Sequence, residues 1–170
     1  AIHVMTDEME RALPKDTPVY LAIDPGREFA YAVEAVQVEN DVVYVIGEVY
    51  EQDKDVREVM RICQSEPWWS RVKGGTIDVA AMAHVSGSPV PEATIWEQEA
   101  RLPLKLTAHR VRIVDGIERM RSFLMPHPVS RKPKMYISKR CRGFLGELGL
   151  MPPKFSNGGV YRYRPGAGIP

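Results

Sequence analysis

The chain has 170 residues, of which 44% are hydrophobic and 26% charged, enough for one globular domain with a real core and too few for two comfortable ones. There is no apolar run of about 18 residues and no basic-then-apolar start of the secretory kind, so the expectation is a soluble intracellular protein without a membrane span. The net charge of +1 hides an asymmetry: residues 1–100 hold 8 Lys+Arg against 19 Asp+Glu, whereas residues 101–170 hold 15 against 3. A half so basic suits a polyanion partner, against the alternative of an ordinary solvated face.

Residues 1–17 are polar with weak helical periodicity and read as a lead-in or a linker from an upstream domain. Strand patterns follow at Val19–Asp24, Phe29–Val38 and Asp41–Glu51, rich in Val, Ile and Tyr, the last two joined by a hairpin turn at Glu39-Asn40-Asp41. These make an antiparallel three-strand meander. Val56, Val59, Met60 and Cys63 then recur at helical spacing over 53–64, until Pro67-Trp68-Trp69 breaks the pattern. Gly74-Gly75 leads into a fourth strand over Thr76–Met82, on which Asp78 lies.

A short helix over Glu92–Arg101 and a fifth strand over Leu104–His109 come next. Asp115 followed by Glu118 has the spacing of a capping box ahead of a helix carrying Ile117, Met120 and Leu124. Met125–Pro133 is a basic, proline-rich loop, Met135–Ser138 a short strand, and Lys139–Leu148 a helix with Cys141, Phe144, Leu145 and Leu148 on one face; the tail from Met151 reads as loop. Three strands, a helix, then strands alternating with helices imply a mixed sheet flanked by helices.

Asp24 closes the apolar run Val19-Tyr20-Leu21-Ala22-Ile23, where an acid is a poor strand residue and costly to bury alone. Turn chemistry ahead of Pro25-Gly26 explains an isolated case. A second acid, Asp78, sits in the apolar run Thr76-Ile77-Asp78-Val79-Ala80 with no Pro-Gly behind it. If the first and fourth strands are neighbours, the two carboxylates face each other. At about 4 Å they repel by about 1 kcal/mol in water and about 4 kcal/mol at an effective dielectric near 20. A divalent cation reverses that sign, and Mg²⁺ favours a few carboxylates together with phosphate oxygens.

Other residues carry two readings. Glu48 and Glu51 on the third strand either approach the metals or form a solvated face; His84 either assists proton transfer or is exposed. Arg27, Arg110, Arg112, Lys139, Arg140 and Arg142 are the candidate phosphate contacts. Trp68, Trp69 and Trp96 read as packing residues, with base stacking the alternative. Cys63 and Cys141 lack zinc or disulfide spacing and read as small core residues.

Four stretches carry a family resemblance: Leu21-Ala22-Ile23-Asp24-Pro25-Gly26; Ile77-Asp78 about fifty residues on; residues 115–124, Asp-Gly-Ile-Glu-Arg-Met-Arg-Ser-Phe-Leu; and residues 136–148, Tyr-Ile-Ser-Lys-Arg-Cys-Arg-Gly-Phe-Leu-Gly-Glu-Leu. In their order and spacing the chain resembles the RNase H-like superfamily, and within it the nuclease domain of the bacteriophage large terminase subunit. The resemblance implies an α/β fold with a mixed five- to six-stranded sheet and helices on both faces. It implies a domain over residues 18–170 that stops before a final acidic helix. The activity it implies is that of a divalent-metal-dependent endonuclease, cutting concatemeric double-stranded DNA with two Mg²⁺ or Mn²⁺ ions, Asp24 and Asp78 being the first two metal-binding acids. It also implies an upstream packaging ATPase domain, portal and small terminase subunit as partners, and the cytoplasm of the infected host cell as location. The family's third acid lies in an Asp-Ala-Leu-Asp-like stretch, and none follows Tyr161-Arg162-Tyr163-Arg164. A Holliday-junction resolvase-like nuclease and an inactive DNA-docking scaffold of the same fold are the alternatives.

Overall fold

In the computed structural model, which describes residues 2–26, 30–83 and 90–149, alternation in the first three strands fixes the sheet. Val19–Pro25 (β1), Tyr31–Glu39 (β2) and Val42–Glu51 (β3) each bury every second residue for most of their length, and pair as an antiparallel meander. Asn40 and Asp41 turn the second hairpin with φ of 50° and 61°, the left-handed pair that a two-residue hairpin loop requires and that Asn and Asp tolerate. The sheet continues with Val72–Ile77 (β4), Leu106–Thr107 (β5) and Met135–Ile137 (β6), in the spatial order β5-β4-β1-β2-β3-β6. The pairs β1–β4, β4–β5 and β3–β6 are parallel, so the expected mixed α/β sheet has six strands.

Each face is covered by helices. On one, Val19, Leu21, Ile23, Val33 and Val49 pack under Val56–Ser65 (α2) and Glu92–Glu99 (α3), with Trp68, Trp69 and Trp96 buried among them. A bulge at Ile46, where Ala35 pairs with Gly47 but Val36 with Val45, turns Val45 to the other face. There Val45, Met135 and Ile137 meet Met120, Phe123 and Leu124 of Ile113–Leu124 (α4) and Leu145 of Arg142–Glu147 (α5). The buried tryptophans and the buried Cys63 and Cys141 are core residues, as their patterning suggests.

The structure departs from the sequence pattern in three places. β4 runs Val72–Ile77, earlier than Thr76–Met82, because Gly74 and Gly75 lie inside it. A Cβ on Gly75 would stand 2.4 Å from the Leu21 carbonyl oxygen, so the glycines allow the close β1–β4 approach and do not precede the strand. Asp115 makes no capping box: α4 starts at Ile113 after Arg112, and the Arg112 guanidinium takes both Asp115 oxygens at 2.9 and 3.0 Å. The box forms instead on α2, where Asp55 accepts from the Arg57 and Glu58 N–H groups and Glu58 accepts from the Asp55 N–H. β5 is two residues long, against the six of Leu104–His109.

Residues 3–12 pack on the β6 side of the sheet. The Met5 N–H donates to the Ile137 carbonyl at 2.9 Å, and Asp7–Ala12 (α1), capped by Thr6, sends Glu10 to Ser138 and Arg140 and Asp7 to Lys139.

Candidate functional site

Ile23 and Ile77 are register partners in the parallel β1–β4 pair, and the Asp78 N–H donates to the Ile23 carbonyl at 3.0 Å. The residues that follow the two isoleucines, Asp24 and Asp78, therefore leave adjacent strands at one level. This is the carboxyl end of the central strands, where open α/β sheets bind their ligands. Asp24 is still in the strand, opposite Ala32. Asp78 stands one residue past the end of β4 rather than inside it, and its Oδ1 accepts the Ala80 N–H at 2.7 Å to cap the turn Val79–Met82. Asp78 thus has a local structural task as well.

The electrostatics mark this end of the sheet. Asp24 is an exposed residue, yet partial burial of its carboxyl raises it above its ordinary value, and the negative charges of Asp78 and then Glu147 raise it further. Sequence reasoning gave Glu147 no role. It reaches the site because α5 folds back over the Asp24 face of the sheet, where the Tyr50 hydroxyl donates to Glu147 Oε1 at 2.7 Å.

Along the same face, Glu34 and Glu48 sit opposite each other on β2 and β3. Burial first, and then the Glu48 carboxylate, push Glu34 well above its ordinary value, which disfavours a second negative charge beside Glu48. Burial also lifts Glu48, against the pull of the Phe144 and Gly143 N–H groups, which donate to it at 2.6 and 2.9 Å. Glu48 is therefore the anchor of α5 and not a solvated strand residue, and Glu51 is buried on the opposite face, paired with Tyr31.

The donors at the strand ends are carboxylate oxygens, a set that suits hard cations such as Mg²⁺ and Mn²⁺. Among the described residues no group of three or more His, Cys, Asp or Glu is close enough to enclose an ion. The cationic candidates fall in two groups at opposite edges of the sheet. Arg110 and Arg112 follow β5, with Arg112 held by Asp115; Lys139, Arg140 and Arg142 follow β6, with Lys139 paired to Asp7 and Arg140 to Glu10. Arg27 and His84 lie outside the described residues, as does the tail from Met151.

No family model and no curated protein matches the chain. Solved structures do. The nuclease domain of the P22 large terminase superposes with a TM-score of 0.60 at 14% identity, covering 95% of this chain and 84% of that one. The fold is that of a terminase nuclease domain. The corresponding domain of the bacteriophage SPP1 large terminase, a structure with bound Mn, gives a TM-score of 0.55 at 10% identity over 93% of this chain and 81% of its own. The large terminase of a thermophilic bacteriophage gives 0.57 at 16% identity over 86% of this chain, and the chain spans 36% of that longer terminase. The likeness to the terminase nuclease fold therefore extends over nearly the whole chain, at sequence identities of 10% to 16%.

Proposed function

We propose that the chain is the nuclease part of a DNA-packaging terminase, a divalent-metal-dependent endonuclease that cuts concatemeric double-stranded DNA. The observation that carries this reading is the delivery of Asp24 and Asp78 to one level at the ends of two parallel strands, within a fold shared with terminase nuclease domains. Asp24 and Asp78 are the residues to hold Mg²⁺ or Mn²⁺. Two such ions, when bound, supply the polarisation that activates water and stabilises the leaving oxygen of a phosphodiester. The chain's own contribution is to concentrate negative charge where the cation binds and to place cations from residues 101–149 against the DNA backbone. In the full terminase the partners are an upstream ATPase domain, the portal and the small subunit, and the work takes place in the cytoplasm of the infected host. The chain spans only 36% of the thermophilic phage's terminase, which leaves room for that ATPase part.

Plasmid nicking tests the reading. The chain is expected to nick or linearise supercoiled DNA with Mn²⁺ or Mg²⁺ and not with EDTA, and Asp24→Asn or Asp78→Asn to abolish the cut with the fold intact. The lack of a three-residue metal set among the described residues favours a second reading, a DNA-docking scaffold. Salt-sensitive DNA binding without any cutting is its signature.

A further inference from the structure

The face of the sheet that carries Asp24 is closed toward β6 and open toward β5. On the β6 side α5 lies against it: the Glu48 carboxylate accepts the Gly143 and Phe144 N–H groups at 2.9 and 2.6 Å, and Tyr50 is buried with its hydroxyl donating to Glu147. On the β5 side, Ala22 shares the face of Asp24, two residues along the same strand. Ala22 pairs with Thr76 of β4 and Thr76 with Thr107 of β5, so the three form one row across three strands. Thr76 and Thr107 are exposed and Ala22 is half-buried, whereas Leu21, Ile23, Ile77 and Leu106, which alternate with them, are buried in the core on the other face.

This row is smooth and uncharged. The Thr76 hydroxyl donates to the Thr107 carbonyl at 3.0 Å and the Thr107 hydroxyl to the Gly75 carbonyl at 3.3 Å, so both hydroxyl protons are engaged within the sheet. Short neutral side chains let a polymer backbone lie close to the strands, and no carboxylate stands in the row to repel an anion. Cations begin where the row runs out. Lys105 alternates with the buried Leu106 as Thr107 does, and among the described residues the exposed Lys105 and Arg110 form no ion pair. At the opposite edge Lys139 and Arg140 are already paired with Asp7 and Glu10. A neutral track that starts beside Asp24 and ends on unpaired cations suits a phosphodiester backbone. We propose that a DNA strand at the Asp24 and Asp78 end of the sheet runs across β4 and β5, over Ala22, Thr76 and Thr107, to Lys105 and Arg110. At the usual strand spacing the crossing from β1 to β5 is about 10 Å, or about three nucleotides at the axial rise of one strand. The inference rests on the reading of the chain as a DNA nuclease and deepens it by choosing the half of the face that the substrate takes.

The test is duplex binding by the full chain, read by fluorescence anisotropy with EDTA present so that cutting plays no part. Thr76→Glu and Thr107→Glu each set a carboxylate in the row and should weaken binding about fivefold, the effect of one like-charge pair at about 4 Å in water. Thr107→Gln, of the same length without the charge, should recover most of that loss. Ser65→Glu makes the same change in net charge at an exposed residue of α2 and should bind as the wild type does. A photoreactive benzophenone on Thr107→Cys should crosslink to the duplex and one on Ser65→Cys should not, the native Cys63 and Cys141 being buried. If the acidic variants do not fold, the crosslink decides. Wild-type affinity in both acidic variants, or no crosslink from position 107, in a chain that binds DNA would overturn the inference and leave the nuclease reading standing. A loss shared equally by Ser65→Glu would trace to net charge and overturn it as well. No duplex binding by the wild type would defeat the reading beneath it and the inference together.

Discussion

Asp24 and Asp78 leave neighbouring parallel strands at one level because the residues before them, Ile23 and Ile77, are register partners and the Asp78 N–H is tied to the Ile23 carbonyl at 3.0 Å. Backbone pairing thus sets the spacing of the two carboxylates, and side-chain substitution tests their charge separately from their placement.

Asp24→Asn is therefore expected to remove cation binding and leave thermal stability equal or slightly higher, since it deletes a carboxyl whose ionisation burial, Asp78 and Glu147 all oppose. Asp78 differs. Asp78→Asn keeps an oxygen for the Ala80 N–H, whereas Asp78→Ala loses that cap and should cost about 1 kcal/mol more in urea denaturation.

The close approach of β1 and β4 gives a second prediction. A Cβ at position 75 meets the Leu21 carbonyl oxygen at 2.4 Å and the Leu21 side chain at 3.0 Å, so Gly75→Ala must push the strands apart. A loss of about 1–3 kcal/mol, the usual cost of overpacking, is expected in chemical denaturation. Mn²⁺ affinity should fall with it, although residue 75 bears no ligand.

Glu34 makes stability depend on pH with a definite sign. Below the ordinary carboxyl value of 4.5 the folded and unfolded chains both hold this proton, and no penalty arises. Above it the unfolded chain releases the proton while the folded chain keeps it, up to the raised folded value. Stability therefore falls as pH rises through that window. Glu34→Gln, which keeps a donor toward Glu48 and cannot ionise, should match the wild type near pH 4 and exceed it near pH 8 in denaturation curves. Equal pH slopes in the two proteins would show that Glu34 ionises normally.

DNA affinity should fall steeply with salt, as phosphate neutralisation demands. The ion pairs of the fold order the individual cations. Arg110→Ala and Arg142→Ala should each lower the log–log salt slope by about 1, the loss of one phosphate contact. Lys139→Ala and Arg140→Ala should change it less, because Asp7 and Glu10 already occupy those side chains. Fluorescence anisotropy on a labelled duplex at several salt concentrations measures this.

Much of this was legible in the sequence because its signals are local. The period-two alternation of β1 to β3, the Asn40-Asp41 turn and the acid closing the first apolar run each stand within a few residues of their cause. The limits of β4 were not legible: Gly74-Gly75 looks like a break until Leu21 is known to press against it. Asp115 and Glu118 have capping-box spacing, but Arg112 and Arg121 claim their carboxylates. Glu147 was hidden for the same kind of reason. Its contact with Tyr50 spans 97 residues of chain, and helical spacing in α5 reports only the apolar side that packs on the sheet. Glu48 carries the reading of a solvated strand face in the sequence, since nothing local shows that the start of α5 will donate to it.

The central claim is that Asp24 and Asp78 together hold a divalent cation. A crystal soaked in Mn²⁺ and measured near the manganese absorption edge tests it most directly. An anomalous peak shared by the Asp24 and Asp78 carboxylates, and absent from Asp24→Asn crystals soaked alike, is the predicted result. A peak that persists in the variant, or manganese bound only elsewhere on the chain, would contradict it.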